Sequence, residues 1–245
     1  MENEAFLKRM SELEERSYSR SVYLYSPFLS PTLQSLSKER FPYLRFEGGV
    51  EFAERKIAVF GDEERLGYTE QPPIRRLFVR TEGVRFSSGL SHRDYLGAIL
   101  NLGIEREKIG DIFVNAEGAY IVADDKVAEL IKAELGRVGS SSVKVEEVET
   151  IPDDFRPKTE KKKISANSCR LDALLCRAYD LSRETGANLC EKGFVSVNGK
   201  QIENGAKFLK DGDVVTVRGY GKFVLEGEDG KSKKGKTFFD LLVYI

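Results

Sequence analysis

The hydrophobic pattern is clearest between residues 73 and 150, where its period changes several times along the chain. Segments in which apolar and polar residues alternate predict strands, and segments with apolar residues three and four positions apart predict helices. The first helical segment places Tyr95, Ile99 and Leu102 on one face. The predicted order is strand, helix, strand, strand, helix, strand, carried by LFVRTEGVRF, HRDYLGAILNLGI, IGDIFVN, GAYIVAD, residues 126–135 and SVKVEEVE. This is the element order of a ferredoxin-like split βαβ domain.

The regions on either side of this segment have different patterns. Residues 1–72 open with an amphipathic charged helix and contain a clear strand at 56–60, which predicts a small α/β domain. Residues 152–168 contain two prolines, few apolar residues and the tripeptide Lys161-Lys162-Lys163, and predict an exposed basic linker. The predicted fold class is therefore α+β with three small domains: an N-terminal α/β domain (1–72), a ferredoxin-like domain (73–151) and, after the linker 152–168, a C-terminal domain (169–245).

The pattern after residue 169 predicts two helices packed on a small sheet. Apolar residues at helical spacing follow Arg170, and a second helix begins at Ser182 and ends at Gly193, where a left-handed conformation favours glycine. The dipeptide Asn198-Gly199 predicts a hairpin turn, and a further strand is expected at 212–219. The cations that this predicted core does not need are Arg170, Arg177, Arg183, Lys192, Lys200 and Arg218.

The charge of the chain is unevenly distributed. The formal net charge is −1, yet residues 156–245 contain 18 Lys and Arg against 12 Asp and Glu, and residues 1–155 contain 21 against 28. The C-terminal third therefore has an electrostatic reason to bind a polyanion. No apolar run is long enough to span a membrane, and the charged N-terminus is unlike a signal peptide, so we expect a cytoplasmic protein.

Few residues offer catalytic or metal-binding chemistry. The cysteines Cys169, Cys176 and Cys190 form no C-x-x-C pair and lie far in sequence from the single histidine, so neither structural zinc nor a disulfide framework is expected. The string GKSKKGKT at 230–237 fits the phosphate-loop pattern, but a phosphate loop opens a long helix and only eight residues follow here. A basic hairpin loop is the better interpretation of that string.

Two tripeptides imitate enzyme motifs. His92-Arg93-Asp94 is like a kinase catalytic loop, but no matching glycine-rich loop or D-F-G accompanies it, so we expect a helix start capped by Ser91. Arg93 remains a candidate RNA contact on that helix. Arg170-Leu171-Asp172 is like the aspartate motif of pseudouridine synthases, in which the aspartate belongs to a separate catalytic domain. Asp172 is therefore expected to cap or pair locally.

Several correctly spaced elements within residues 170–223 closely resemble the S-four RNA-binding domain. They are Arg170-Leu171-Asp172, Ser182-Arg183, the run Gly193-x-Val195-x-Val197-Asn198-Gly199-Lys200, and Gly212-Asp213 before a strand. Gly186 departs from the pattern, since the family usually has alanine there. The stretches GGVEFAERKIAVF and SHRDYLGAILNLGIEREKIGDI further resemble the YlmH-type proteins of Gram-positive bacteria, in which two small domains precede an S-four domain. This resemblance covers essentially the whole chain.

The resemblance implies a non-catalytic RNA-binding protein of the translation apparatus that needs no cofactor. Its expected partners are structured ribosomal RNA or tRNA on the large ribosomal subunit, with peptidyl-tRNA, in ribosome-associated quality control. Shape, phosphates and 2′-hydroxyls dominate recognition of structured RNA, which suits a rigid helix pair that carries Arg and Lys. The predicted RNA-binding residues are Arg170, Arg177, Ser182, Arg183, Lys192, Asn198, Lys200, Arg218, Lys161, Lys162, Lys163 and Arg93.

Two other functions remain open from the sequence. The first is an RNA-modifying enzyme, of the pseudouridine synthase or methyltransferase type, that has its catalytic domain in residues 1–150 and uses the S-four domain for targeting. The second is a protein-interaction adaptor whose basic charge is incidental. A single histidine and the lack of a recognisable cluster of acid, base and nucleophile disfavour the enzyme. For Asn198-Gly199, hairpin geometry alone and a hairpin that also contacts RNA are equally acceptable interpretations.

Overall fold

The chain forms two compact units, Met1–Arg156 and Pro157–Ile245. The computed structural model describes residues 2–82, 89–231 and 235–245. This division differs from the three predicted domains, because residues on both sides of the predicted boundary at 72 belong to the same unit. The continuation of the predicted strand LFVRTEGVRF beyond residue 82 lies outside the described residues, as do the residues 232–234 of GKSKKGKT.

The first unit combines five helices and eight strands in its described part. Its helices are α1 (Glu2–Arg20), α2 (Pro31–Arg40), α3 (Glu63–Leu66), α4 (His92–Leu100) and α5 (Asp125–Glu134). Its strands are β1 (Leu24–Tyr25), β2 (Arg45–Glu47), β3 (Ile57–Phe60), β4 (Ile74–Thr81), β5 (Ile109–Val114), β6 (Gly118–Asp124), β7 (Arg137–Val138) and β8 (Ser141–Glu147).

The larger sheet of this unit has the predicted ferredoxin-like order. Its strands lie in the order β5-β6-β4-β8-β7, and every neighbouring pair is antiparallel. The inward positions of the alternating strands, such as Leu77 and Ile121, pack against Ile99 of α4 and Ile131 of α5 in one core. The predicted strand-helix-strand-strand-helix-strand order is confirmed, with the two-residue strand β7 added before β8.

The other face of the same sheet is covered by residues from the N-terminal part of the chain. Phe28 and Ile57 form one buried cluster with Val122 of β6 and with Ile151. Polar contacts cross the same boundary: the Arg55 guanidinium donates to the Ile109 carbonyl at 3.2 Å, and the Asp111 carboxylate accepts the Glu54 N–H at 2.6 Å. These contacts explain why the smaller sheet, ordered β1-β3-β2, belongs to the same compact unit as the larger one.

The second unit is a helix pair on a six-stranded sheet. Its helices are α6 (Leu171–Ala178) and α7 (Arg183–Glu191), and its strands are β9 (Thr159–Ala166), β10 (Val195–Val197), β11 (Lys200–Gln201), β12 (Val214–Val217), β13 (Gly221–Lys231) and β14 (Thr237–Tyr244). The strand order is β11-β10-β12-β13-β14-β9. The alternating inward residues of the strands, including Phe223 and Phe239, bury against Leu171 and Leu174 of α6. The predicted hairpin around the GKSKKGKT string is observed, because β13 and β14 pair antiparallel.

The predicted linker 152–168 is wrong for its second half. Residues Thr159–Ala166 form β9, which pairs with β14 along its whole length. β9 is the last strand of its sheet, and exposed edge strands carry lysines because charged side chains discourage further pairing. The local sequence therefore has the polar composition of a linker. Only the partner strand β14 supplies the hydrogen bonds that make it a strand.

Candidate nucleic-acid interface

The helix pair α6–α7 positions most of the predicted RNA-binding residues. Ser182 caps α7: its hydroxyl accepts the Thr185 N–H at 3.0 Å and lies 2.8 Å from the Thr185 hydroxyl. Arg177 lies in the last turn of α6 and Arg183 is the first residue of α7, and both side chains are exposed. The Ser182 side chain is therefore occupied in shaping the helix start, which leaves the cations as the groups available to a ligand.

Asp172 links the beginnings of the two helices electrostatically. Its carboxylate accepts two hydrogen bonds from the Arg170 guanidinium, at 3.1 and 2.5 Å, and one from the Ala173 N–H at 2.7 Å. The hydrogen bonds from Arg170 lower the pKa of the Asp172 carboxyl, and the nearby charge of Arg183 acts in the same direction. The local role expected for Asp172 is confirmed. The Arg170 guanidinium is therefore engaged by a carboxylate of its own unit.

A second group of candidates lies at the other end of α7. Lys192 is the C-cap residue, and Gly193 adopts the predicted left-handed conformation with φ of 68°. The Arg218 N–H donates to the Phe194 carbonyl at 2.8 Å, and the Arg218 guanidinium lies 5.3 Å from the centre of the Phe194 ring. Phe194 is 37% exposed, so this cation and ring present a joint polar and aromatic surface. Phe194 is not among the predicted RNA-binding residues, because its position beside Arg218 depends on the pairing of β10 with β12.

Asn198 has a structural role in its turn. Asn198 and Gly199 both have positive φ, 49° and 76°, as the predicted hairpin requires. The Asn198 amide donates to the Asp213 carboxylate at 2.8 Å and accepts the Val214 N–H at 2.9 Å. These bonds hold the turn against the beginning of β12. A role in RNA contact stays a prediction for Asn198 and for Lys200, which follows the turn in β11.

The ion pairs of the second unit divide the predicted cations into two sets. Four of them have carboxylate partners within the unit: Lys161 with Glu226, Lys162 with Asp180, Lys163 with Asp229, and Arg170 with Asp172. The Lys162 ammonium also donates to the Ala178 carbonyl at the end of α6, at 2.9 Å. Lys161, Lys162 and Lys163 are thus partly neutralised on a strand instead of exposed on a flexible linker.

Of the five remaining cations, Lys200 lies in β11. The other four are grouped under the name α7 cation surface: Arg177, Arg183, Lys192 and Arg218. All four are exposed, and among the residues that the structure describes none has a carboxylate partner within 4 Å. Arg183 and Lys192 lie at the two ends of a nine-residue helix, which separates them by about 13 Å. Uncompensated cations on a rigid element suit contacts with several phosphates of one nucleic acid.

Arg93 lies on α4 in the first unit, whereas the other candidate residues belong to the second. The helix begins as predicted, because the Asp94 carboxylate accepts the Ser91 N–H and the Ser91 hydroxyl, both at 2.7 Å. These hydrogen bonds lower the pKa of the Asp94 carboxyl. Arg93 is exposed on the first turn, and its contact with RNA stays a prediction.

Gly186 allows α6 and α7 to approach closely, and we expect Gly186→Ala to destabilise the second unit by about 1 kcal/mol. A Cβ at this buried position would lie 2.5 Å from the Cys176 Sγ atom. Overpacking of this kind costs about 1–3 kcal/mol, which exceeds the gain of about 1 kcal/mol from replacing glycine in a helix. Urea unfolding followed by circular dichroism measures the change.

The matched control for this substitution removes the sulfur atom. In the background Cys176→Ala, the new Cβ occupies vacated space, so Gly186→Ala is expected to be neutral or stabilising there. A stabilising effect of Gly186→Ala in the presence of Cys176 would contradict the close approach of the two helices.

The described residues were compared with two further requirements: the side-chain groups that hold a metal ion and the helices that span a membrane. No group of three or more His, Cys, Asp or Glu side chains there is arranged to hold a metal ion. Across the same residues, no helix combines the length and apolar character needed to cross a membrane. Cys176 and Cys190 are buried and Cys169 is half-buried, and burial raises the pKa of all three thiols.

Comparisons with known proteins identify relatives of this chain. A family model described as "Putative RNA-binding domain in YlmH" matches residues 79–151, which contain most of the ferredoxin-like sheet. The "Ribosome-associated protein quality control protein P2" of Bacillus subtilis is 30% identical over 195 residues, which cover 79% of this chain and 75% of that protein. The chain belongs to the YlmH family. The solved structure of the "Cell division protein ylmH from Streptococcus pneumoniae" is 24% identical, with a TM-score of 0.47, and the match covers 63% of this chain and 93% of that one.

Membership of the YlmH family confirms the resemblance that the sequence motifs indicated. The matched segment 79–151 lies within the predicted domain 73–151, so the RNA-binding assignment of that region agrees with the sequence-based prediction. The S-four region, with the α7 cation surface, lies outside this segment. Contact of that region with RNA therefore stays a prediction.

Proposed function

We propose that this protein is a non-catalytic RNA-binding factor of the translation apparatus. It binds structured ribosomal RNA or tRNA on the large ribosomal subunit, with peptidyl-tRNA, and acts in ribosome-associated quality control. The S-four region makes the main contact through the α7 cation surface, and the ferredoxin-like domain contributes a second contact. The protein holds RNA in place and changes no covalent bond.

The observation that carries this proposal is that the cations around α7 are exposed and lack carboxylate partners. In the described part of the unit, Lys161, Lys162, Lys163 and Arg170 are paired with carboxylates, whereas Arg177, Arg183, Lys192 and Arg218 are exposed without such partners. Exposed cations without internal partners give this unit a positive potential that attracts a polyanion. The helix pair is held by a buried core, so these side chains extend from a rigid base as recognition of RNA by shape requires.

The ribosomal part of the proposal is supported by the relative in Bacillus subtilis, whose name describes a ribosome-associated protein of quality control. A binding role without catalysis is supported by the site itself. The aspartate that imitates a pseudouridine synthase motif, Asp172, is engaged by Arg170 and by the Ala173 N–H. Its carboxylate stabilises the start of α6, and this structural role explains the Arg170-Leu171-Asp172 motif without a catalytic role for the aspartate.

Salt dependence tests the phosphate contacts directly. If all four members of the α7 cation surface contact phosphates, affinity for purified Bacillus subtilis large subunits is expected to fall about 100-fold between roughly 50 and 200 mM salt. The loss arises because salt removes the entropy gained from counterion release. Co-sedimentation at constant magnesium concentration measures it, and an affinity independent of salt would refute the proposal.

The ion-paired lysines supply a control for the salt experiment. Lys161 and Lys163 are exposed but have carboxylate partners, so Lys161→Ala/Lys163→Ala is expected to leave the salt slope unchanged. The salt slope of this variant should be compared with that of a variant lacking Arg177 and Arg218. If both slopes decrease equally, the RNA interface includes β9.

A further inference from the structure

Three aromatic side chains lie side by side across the ferredoxin-like sheet, on the face away from α4 and α5. Phe113 of β5 is directly opposite Tyr120 of β6, and Tyr120 is directly opposite Phe78 of β4. The Phe78 and Tyr120 rings are stacked, with centroids 4.5 Å apart and planes inclined at 26°. We call these three residues the aromatic row.

Most of the aromatic row is already covered within the first unit. The Phe52 ring packs edge-on against Phe113 at 5.2 Å, and the Arg80 guanidinium lies 5.5 Å from the centre of the Phe78 ring. Phe155 contacts Tyr120 edge-on at 4.7 Å. An open row of this kind would offer stacking positions to several bases, and the described residues leave a space beside Tyr120.

That space is a cleft, here called the Tyr120 cleft, between the row and the segment 152–155. Phe113, Tyr120 and Phe155 supply aromatic walls, and Asn115, Glu117 and Asp154 supply polar groups. The side-chain Oδ1 of Asn115 accepts the Glu117 and Gly118 N–H groups at 2.9 and 3.0 Å, which holds the β5–β6 turn. Within the described residues, the Glu117 and Asp154 carboxylates have no hydrogen-bond or ion-pair partner.

The charge of the cleft decides which part of a nucleotide it fits. No Lys, Arg or His is among the described residues that line it, and two carboxylates are. A phosphate is therefore repelled, and a base with N–H donors is favoured because an ionised carboxylate only accepts hydrogen bonds. Guanine is the RNA base whose Watson–Crick edge carries two adjacent donors, N1–H and the N2 amino group. Uracil has one donor between two carbonyls, and adenine and cytosine each have one amino group beside an acceptor.

We propose that the Tyr120 cleft binds a single unpaired guanine base of RNA. The base stacks on Tyr120, and its N1–H and N2 amino groups donate to the carboxylate of Glu117 or Asp154. Recognition of this type is usual for single-stranded RNA, whose bases are free to stack on aromatic side chains and to expose their edges. The inference rests on the proposed RNA-binding function and adds a base-reading site to the phosphate contacts of the second unit.

The test uses the full-length protein and a short fluorescein-labelled oligouridine that carries one central guanosine. Fluorescence anisotropy compares it with the same oligonucleotide carrying inosine, which lacks the N2 amino group, or adenosine. The guanosine probe is expected to bind about tenfold more tightly than either. Glu117→Gln/Asp154→Asn should abolish this preference, because each amide places a donor where the base needs an acceptor.

The controls separate the cleft from general charge and from the fold. Glu134→Gln/Glu149→Gln removes two exposed carboxylates of the same unit outside the cleft and should keep the preference for guanosine. Tyr120→Leu should weaken binding of all the probes through loss of stacking. The amide variant keeps the test decisive if Tyr120→Leu fails to fold, because the Glu117 and Asp154 side chains are both exposed.

Two results would overturn the proposal: equal affinity for the guanosine and inosine probes, or a preference that persists in Glu117→Gln/Asp154→Asn. Either result leaves the wider function intact if binding to large subunits still depends on Arg183 and Lys192. Loss of that dependence would instead count against the RNA-binding role of the second unit.

Discussion

Reversing the charge of Arg183 and Lys192 in one variant is expected to lower affinity for large ribosomal subunits about 100-fold. Each side chain is exposed at one end of α7 and has no carboxylate partner among the described residues. A hydrogen bond to a charged group is worth about 1.5–3 kcal/mol, and about 1.4 kcal/mol corresponds to a tenfold change in affinity. Two lost phosphate contacts therefore account for the factor, and the introduced repulsion adds to it.

The same substitution should leave the stability of the unit nearly unchanged. Glutamate at position 183 is favoured by the positive helix dipole at the start of α7, although it loses the attraction between Arg183 and Asp172. Glutamate at position 192 is disfavoured at the negative end of the same helix, and each of these effects is small, about 0.3–1 kcal/mol, because both sites are exposed. Urea unfolding of the variant should therefore match that of the unaltered protein, and the loss of binding can be assigned to the interface.

A control with the same change of net charge is available in the first unit. Lys8 and Lys126 are exposed, and Lys8→Glu/Lys126→Glu should bind large subunits with nearly normal affinity. Co-sedimentation of the two variants side by side gives the answer. Equal losses in both would mean that overall charge, and no particular surface, governs binding; normal binding of the Arg183 and Lys192 variant would exclude the α7 cation surface as the site.

Gly118→Ala is expected to destabilise the first unit by about 3 kcal/mol or more. Gly118 is opposite Arg80 in the β4–β6 ladder, and a Cβ there would lie 2.1 Å from the Val79 carbonyl oxygen. The obstacle is the backbone of a central strand, which cannot move without loss of its hydrogen bonds. The cost therefore falls at or above the upper end of the usual range of about 1–3 kcal/mol for overpacking.

Gly97 provides the matched control for this prediction. It lies within α4, and apart from its own helix backbone and its chain neighbours, no described atom is within 4 Å of the position that an alanine Cβ would take. Gly97→Ala should therefore stabilise the unit by about 0.5–1 kcal/mol through helix propensity. Urea unfolding followed by circular dichroism measures both. A neutral Gly118→Ala would contradict the close pairing of β4 and β6 at the β5–β6 turn.

Local sequence patterns were sufficient to predict helices and strands in the segments where hydrophobic periodicity and turn residues indicate the same element. The ferredoxin-like order could be predicted because each strand alternates and each helix has one apolar face, as for Leu77 and Val79 on β4 or Tyr95 and Ile99 on α4. The α7 helix could be predicted from its cap at Ser182 and its stop at Gly193. The exposed cations at its ends follow directly from these boundaries.

The tertiary structure alone decided which cations remain available. Lys161, Lys162 and Lys163 appear in the sequence as a basic linker, but pairing with β14 makes them part of an edge strand, where carboxylates 18 or more residues away reach them. The aromatic row also arises only from register, since Phe78, Phe113 and Tyr120 become neighbours through strand pairing.

The sequence by itself determined the helices, the turns and the excess of positive charge in the C-terminal third. Partners distant in the chain determined where that charge is neutralised and where it stays exposed, because ion pairs and strand pairing form between segments that no local pattern brings together.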